Sequence, residues 1–180
     1  MQFPNRLVSN INFCLAILLA FLGIFQDKID ATPIFQSIGR GHLLLLHLPI
    51  GILLLIGIFT FFRKSFDEKF LREFNATSIS IAASFALLTA ILGLILSKEG
   101  GYDEEILSFH KRMGIITAFL VYILSFIKQP GILFTSVLVL SLIILTIGSH
   151  NGATLTHGEG FLQKPLMKES VESQFDENAS

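Results

Sequence analysis

Cysteine is nearly absent from this chain, and its scarcity excludes several kinds of cofactor site. Cys14 is the only cysteine among 180 residues. One thiol cannot form an internal disulfide, a cysteine-rich zinc site or the CxxCH sequence that attaches c-type haem. No strand is apparent either, so no phosphate-binding loop after a strand is expected, and no spacing supports a Ser-His-Asp triad. A nucleic-acid partner is not predicted.

Charged residues are also scarce, at 15% of the chain against about a quarter in an ordinary soluble domain. Hydrophobic residues make up 52%. Apolar runs of the length that a spanning helix needs are helical in lipid, because a helix satisfies its own backbone. We therefore predict an all-α integral membrane bundle with five transmembrane helices, four in the core and an N-terminal span packed outside them. The five runs are 11–25, 43–62, 79–96, 113–127 and 131–148.

The domain organisation follows from these runs. No small-x-small cleavage site follows Phe25, so the first span is expected to remain as an uncleaved helix. Residues 1–163 are predicted to form the bundle. The segment 164–180, "KPLMKESVESQFDENAS", is too charged to fold alone and is predicted to be a disordered tail.

The histidines are distributed unevenly. Five spans place the connecting loops on two sides of the membrane, and every histidine falls on the side opposite the N-terminus. The set is His42, His47, His110, His150 and His157. Three separate segments thus deliver imidazoles to one end of the bundle, which indicates a shared site there.

Span two carries two of these histidines. A histidine within lipid is costly and by default faces the bundle interior. His42 and His47 differ by about 140° around a helix, so both cannot point at one target without distortion. Pro49 frees the carbonyl of Leu45 and is expected to kink the helix. We expect His47 to point inward and His42 to lie at the interface.

Small and acidic residues accompany the histidines. Gly114 lies one turn below His110 and would leave one face of that imidazole open. A stripe of small residues in span three, Ala82, Ala86, Ala90 and Gly93, permits close helix packing or a flat macrocycle. Asp103 and Glu104 precede the helix with His110, where they cap it or orient its imidazole.

The segment "GSHNGATLTHGEGF", residues 148–161, follows the last apolar run. Its glycines allow sharp turns, and Glu159 adds a hydrogen-bonding group. We expect this segment to be a lid that returns over the bundle and brings His150 and His157 toward His47 and His110. By itself the spacing matches no standard metal motif.

Three segments resemble, in order, a bacterial membrane-domain family of unknown function that is often found N-terminal to planctomycete-type cytochrome c domains. They are "GHLLLLHLPIGILLL", "LSKEGGYDEEILSFHKRMGI" and "GSHNGATLTHGEGFL", within roughly residues 38–162. All five histidines match family positions. The chain departs from the family pattern at Leu43, Met113, Ala153 and Gly160.

The resemblance implies a redox neighbour outside the cytoplasmic membrane, such as a periplasmic c-type cytochrome. The loop 63–78 holds four basic residues, which favours it as cytoplasmic. The chain is therefore expected in the bacterial inner membrane, with its N-terminus cytoplasmic and its C-terminus and histidines periplasmic.

We expect the bundle to bind b-type haem and to exchange electrons with a cytochrome or a quinol. The predicted ligands are His47 with His110 or His150, with His157 beside them. Predicted supporting residues are His42, Asp103, Glu104, Gly114 and Glu159. Two alternatives stay open: a copper or zinc site on the same histidines, or a membrane anchor or assembly subunit of a larger complex with no cofactor. Whether the protein is an enzyme is left undecided.

Overall fold

The computed structural model describes residues 6–28, 30–129 and 131–161, except for the side chain of Asp27. The predicted tail, 164–180, lies outside them. Helices are the only regular elements in this part of the chain, which confirms the all-α prediction. They are α1 (Arg6–Phe25), α2 (Pro33–Gly39), α3 (Gly41–Leu45), α4 (His47–Phe61), α5 (Glu68–Leu96), α6 (Glu104–Leu124) and α7 (Ile132–His157), with 3-10 turns at Gln26–Lys28 and Arg63–Ser65.

Five helical segments are long and apolar enough to cross a membrane, as the hydropathy predicts. They are α1, the series α2 to α4, α5, α6 and α7. Large apolar side chains such as Leu44, Phe61 and Ile132 are exposed on their outer surfaces. In water such exposure would be costly, whereas lipid accepts it, so the fold is that of a transmembrane helical bundle.

The second span is interrupted close to Pro49. Helix α3 ends at Leu45 and α4 begins at His47, with Leu46 between them in helical dihedrals. Pro49 has no amide hydrogen to donate to the carbonyl of Leu45, so the hydrogen-bond ladder loses one rung there. Pro49 itself is buried.

Helix α5 lies at the centre of the bundle and packs against α1, α2, α3, α4 and α6. Its buried face combines the small residues Ala82, Ala83 and Ala86 with large aliphatic ones such as Leu87. Small side chains let neighbouring helices approach closely, and dispersion contacts at such interfaces stabilise membrane bundles. Of the small stripe predicted from the sequence, Ala82 is a packing residue, whereas Ala86, Ala90 and Gly93 also line the cavity described below.

Helix α1 is joined to α5 by a buried polar contact. The Asn12 side chain donates to the backbone carbonyl of Ser80 at 3.0 Å and accepts from the Ser84 hydroxyl at 2.6 Å. Ala16 and Leu19 of α1 belong to the hydrophobic core. The first span therefore contributes buried residues, although it packs mainly against one helix.

The prediction that residues 148–161 form a lid is wrong for most of that segment. Helix α7 continues to His157, and only the residues after it turn, with positive φ at Gly158 and Gly160. Polar side chains sustain the extension by donating to carbonyls one turn back, as Asn151 does to Ile147 and Thr154 does to His150. The apolar run ends at residue 148, but the helix does not.

Candidate functional site

One end of the bundle contains a cavity of about 510 Å³, enclosed by α3, α4, α5, α6 and α7. Its inner walls are apolar and include Leu53, Ala86, Ala118 and Leu145. Four of the five histidines line it: His42, His47, His110 and His157. The fold therefore brings histidines from three sequence segments to one end of the bundle. The assignment of the loops to two sides of the membrane predicts this arrangement. A volume of roughly 300–1,000 Å³ is typical of small-molecule and cofactor sites.

His42 is held against α5. Its Nδ1 donates a hydrogen bond to the backbone carbonyl of Thr89 at 2.9 Å, and the ring is half-buried. A carbonyl oxygen can only accept, so Nδ1 must carry the hydrogen. In the neutral imidazole the Nε2 lone pair then stays available for a metal ion.

His110 is held against α7 in the same manner. Its Nδ1 donates to the backbone carbonyl of Gly148 at 2.8 Å, and this ring is also half-buried. Each imidazole is thus oriented by a backbone carbonyl of a different neighbouring helix. Such a bond fixes the tautomer and raises the basicity of the remaining nitrogen, as partners of metal-bound histidines generally do.

The two imidazoles lie close together at the cavity. Their ring centroids are 6.3 Å apart, and their planes are inclined by 87°. Two imidazoles that bind one metal ion from opposite sides, with bonds of about 2 Å, place their centroids roughly 6 Å apart. The separation of His42 and His110 therefore fits a single ion between them.

Two glycines make room for these rings. A Cβ added at Gly93 would lie 2.9 Å from Nδ1 of His42, and one added at Gly152 would lie 2.8 Å from Cε1 of His110. A methyl group at either position would overlap the ring that rests on it. Only glycine permits both imidazoles to lie this close to α5 and α7.

Polar groups are few in the cavity. Thr89 is 7% exposed, and its hydroxyl has no hydrogen-bond partner in the described part of the chain. Tyr102 and Lys111 also line the cavity, and the Lys111 ammonium donates to the side-chain oxygen of Gln26 at 3.0 Å. The site thus combines an apolar interior with one cationic side chain.

The remaining predicted ligands are placed differently from each other. His47 lines the cavity but is exposed and makes no hydrogen bond to another described residue. His157 lines it as well and stacks on Phe161, with ring centroids 4.3 Å apart. His150 is exposed and does not line the cavity, because Gly148 and Gly152 occupy the opposite face of α7. The sequence predicts that His47 points inward and that His42 lies at the interface. The structure shows the opposite order of burial, because His42 is half-buried and His47 is exposed.

The predicted supporting residues also differ in whether they line the cavity. Asp103 caps α6 by accepting from the amide of Ile106 at 2.9 Å, and Glu104 is exposed in the first turn. Because the Gly148 carbonyl orients His110, the capping role accounts for these acids. Glu159 is exposed and does not line the cavity. Gly114 lines the cavity, and a Cβ there would meet nothing within 4 Å, so this wall is open.

Sequence reasoning missed three parts of the site: the carbonyl of Thr89, the carbonyl of Gly148, and Gly152 as the surface on which His110 rests. The spacing of Gly148 and Gly152, four residues apart on one helical face, was the available signal. The sequence analysis predicts a loop for this segment, and in a loop the two glycines would not share a face.

Within the described residues, no three histidine, cysteine, aspartate or glutamate side chains lie close enough together to hold a metal ion. No family model, curated protein or solved structure matches this chain, so the family resemblance stays a prediction.

Proposed function

We propose that this protein is a membrane redox domain that binds one b-type haem between His42 and His110. The observation that carries the proposal is the pair itself: two imidazoles 6.3 Å apart, each oriented through Nδ1 by a backbone carbonyl. Both lie in a mainly apolar cavity. This pair replaces the ligand choice favoured by the sequence, in which His47 was one member.

The same features favour haem over a lone copper or zinc ion. Structural zinc sites have four ligands and catalytic zinc sites three from the protein. Here two imidazoles lie close together, and the cavity that they line is far larger than one ion needs. The apolar walls and the open side at Gly114 suit a planar macrocycle.

When bound, haem supplies reversible one-electron transfer at a potential that its axial ligands and surroundings set. The chain's own residues would bind the haem and orient its ligands. His42 and His110 would hold the iron, and their hydrogen bonds to the carbonyls of Thr89 and Gly148 orient both rings. The apolar walls would contact the faces of the macrocycle, and Lys111 would offer a positive charge to its carboxylates.

The site belongs to one end of the bundle, so electrons would enter and leave on one side of the membrane. We propose the bacterial inner membrane, with the histidine end periplasmic and the loop 63–78 cytoplasmic. A c-type cytochrome or a quinol is the proposed electron partner. A transmembrane relay is not proposed, because the histidines lie at one end.

Absorption spectra test this function. We expect protein purified in mild detergent from haem-supplied cells to give a b-type reduced spectrum and a positive pyridine haemochrome assay. His42→Ala and His110→Ala should each lose the bound haem, because neither leaves a second axial imidazole. His150→Ala should keep it, since that side chain lies outside the cavity.

A colourless wild-type protein from such cells would contradict the proposal. If colour survives in His42→Ala and His110→Ala but is lost in His47→Ala, haem binding stands and the ligand pair is wrong.

A further inference from the structure

A second, much smaller cavity lies at the opposite end of the bundle from the histidines. Its volume is about 20 Å³, and it is formed where α4 ends, α5 and α7 begin, and the chain leaves α6. The residues that line it are Thr60, Arg63, Leu71, Arg72, Asn75, Gln129, Phe134 and Thr135.

Three side-chain oxygens at this cavity are buried and have no hydrogen-bond partner among the described residues. They are Thr60 Oγ1, Asn75 Oδ1 and Gln129 Oε1. Asn75 is only 7% exposed. A buried polar group without a partner destabilises the fold, and three of them lie in this one small region. By contrast, Thr135 lines the same cavity but donates to the carbonyl of Gly131 at 3.1 Å.

We infer that this cavity binds one ordered water molecule that bridges Thr60, Asn75 and Gln129. A space of about 10–15 Å³ holds a water, provided that it offers two to four polar partners. The donors and acceptors match: the water donates its two hydrogens to the amide oxygens of Asn75 and Gln129 and accepts from the Thr60 hydroxyl. The bridge joins the end of α4, the interior of α5 and the segment that follows α6.

The surroundings favour water over an ion. Arg63 and Arg72 line the same cavity, so a cation would meet two positive side chains. An anion such as phosphate is larger than the space and would face amide oxygens. A neutral molecule with two donors and one acceptor is the ligand that these three oxygens require.

A double-substitution cycle tests the bridge. Asn75→Leu and Gln129→Met each remove one oxygen with little change in volume, and we expect each to lower the thermal midpoint of helix unfolding by about 2–4 °C. The double variant should lose no more than the worse single variant, because without both acceptors the water is no longer needed. Thr135→Val is the matched control on the same cavity and should change the midpoint less than either.

A wild-type density map at a resolution that shows ordered waters is the direct check, independent of whether the variants fold. We expect a peak within hydrogen-bond distance of all three oxygens. Additive losses in the cycle, unchanged midpoints, or a map with a direct amide–amide bond between Asn75 and Gln129 would overturn the inference. None of these results depends on haem.

Discussion

The hydrogen on Nδ1 of His42 and of His110 leaves Nε2 as the ring atom that can bind a metal ion. Each is committed to a backbone carbonyl, so each ring presents Nε2 as its remaining basic atom. His47 and His150 have no comparable bond within the described part of the chain, and both are exposed. The pair is therefore set apart from the other histidines by its orientation.

The two glycines under the rings provide a prediction at this scale. Gly93→Ala and Gly152→Ala would each place a methyl group within 3 Å of an imidazole and displace it from its carbonyl. We expect each substitution to weaken haem binding at least about tenfold, the usual cost of losing a partner that orients a metal ligand. Titration of the purified protein with haem measures the effect.

Gly51→Ala is the matched control, because a Cβ at this exposed glycine would meet nothing within 4 Å. Equal affinity in all three variants would show that the two rings do not need their glycine surfaces.

At the scale of the helices, hydropathy predicted which segments cross the membrane but not where they end. Helix α5 begins at Glu68, eleven residues before its apolar run, because Asp67 caps it by accepting from the amide of Phe70. Helix α7 outlasts its apolar run because its polar side chains bond to its own carbonyls. Apolar content reports contact with lipid, whereas capping decides where a helix stops.

The contact between α1 and α5 carries a second prediction. Asn12→Leu removes two interhelical hydrogen bonds, each worth about 0.6 kcal/mol on average between membrane helices. We expect a fall of about 2–4 °C in the midpoint of thermal unfolding, followed by circular dichroism in detergent. The haem spectrum should not change, because α1 does not line the cavity.

Asn10→Leu makes the same replacement on the exposed side of α1 and serves as the control. If both variants unfold at the wild-type midpoint, the buried asparagine does not hold the helix in place.

For the whole molecule, the arrangement of histidines was predictable only in part. Counting spans was enough to place all five at one end, and four of them line one cavity there. The choice of partners was not predictable, because it depends on how each helix is rotated about its axis. His42 turns toward α5 and His110 toward α7, and a helical wheel drawn for one isolated helix contains neither neighbour.

The central claim concerns two imidazoles from different helices that bind one iron. Electron paramagnetic resonance of the oxidised, haem-loaded protein tests it most directly. Because the ring planes are 87° apart, the account predicts a low-spin signal with the strong anisotropy of nearly perpendicular axial imidazoles. A high-spin signal from the loaded protein, which indicates an iron with only one histidine ligand, would contradict it.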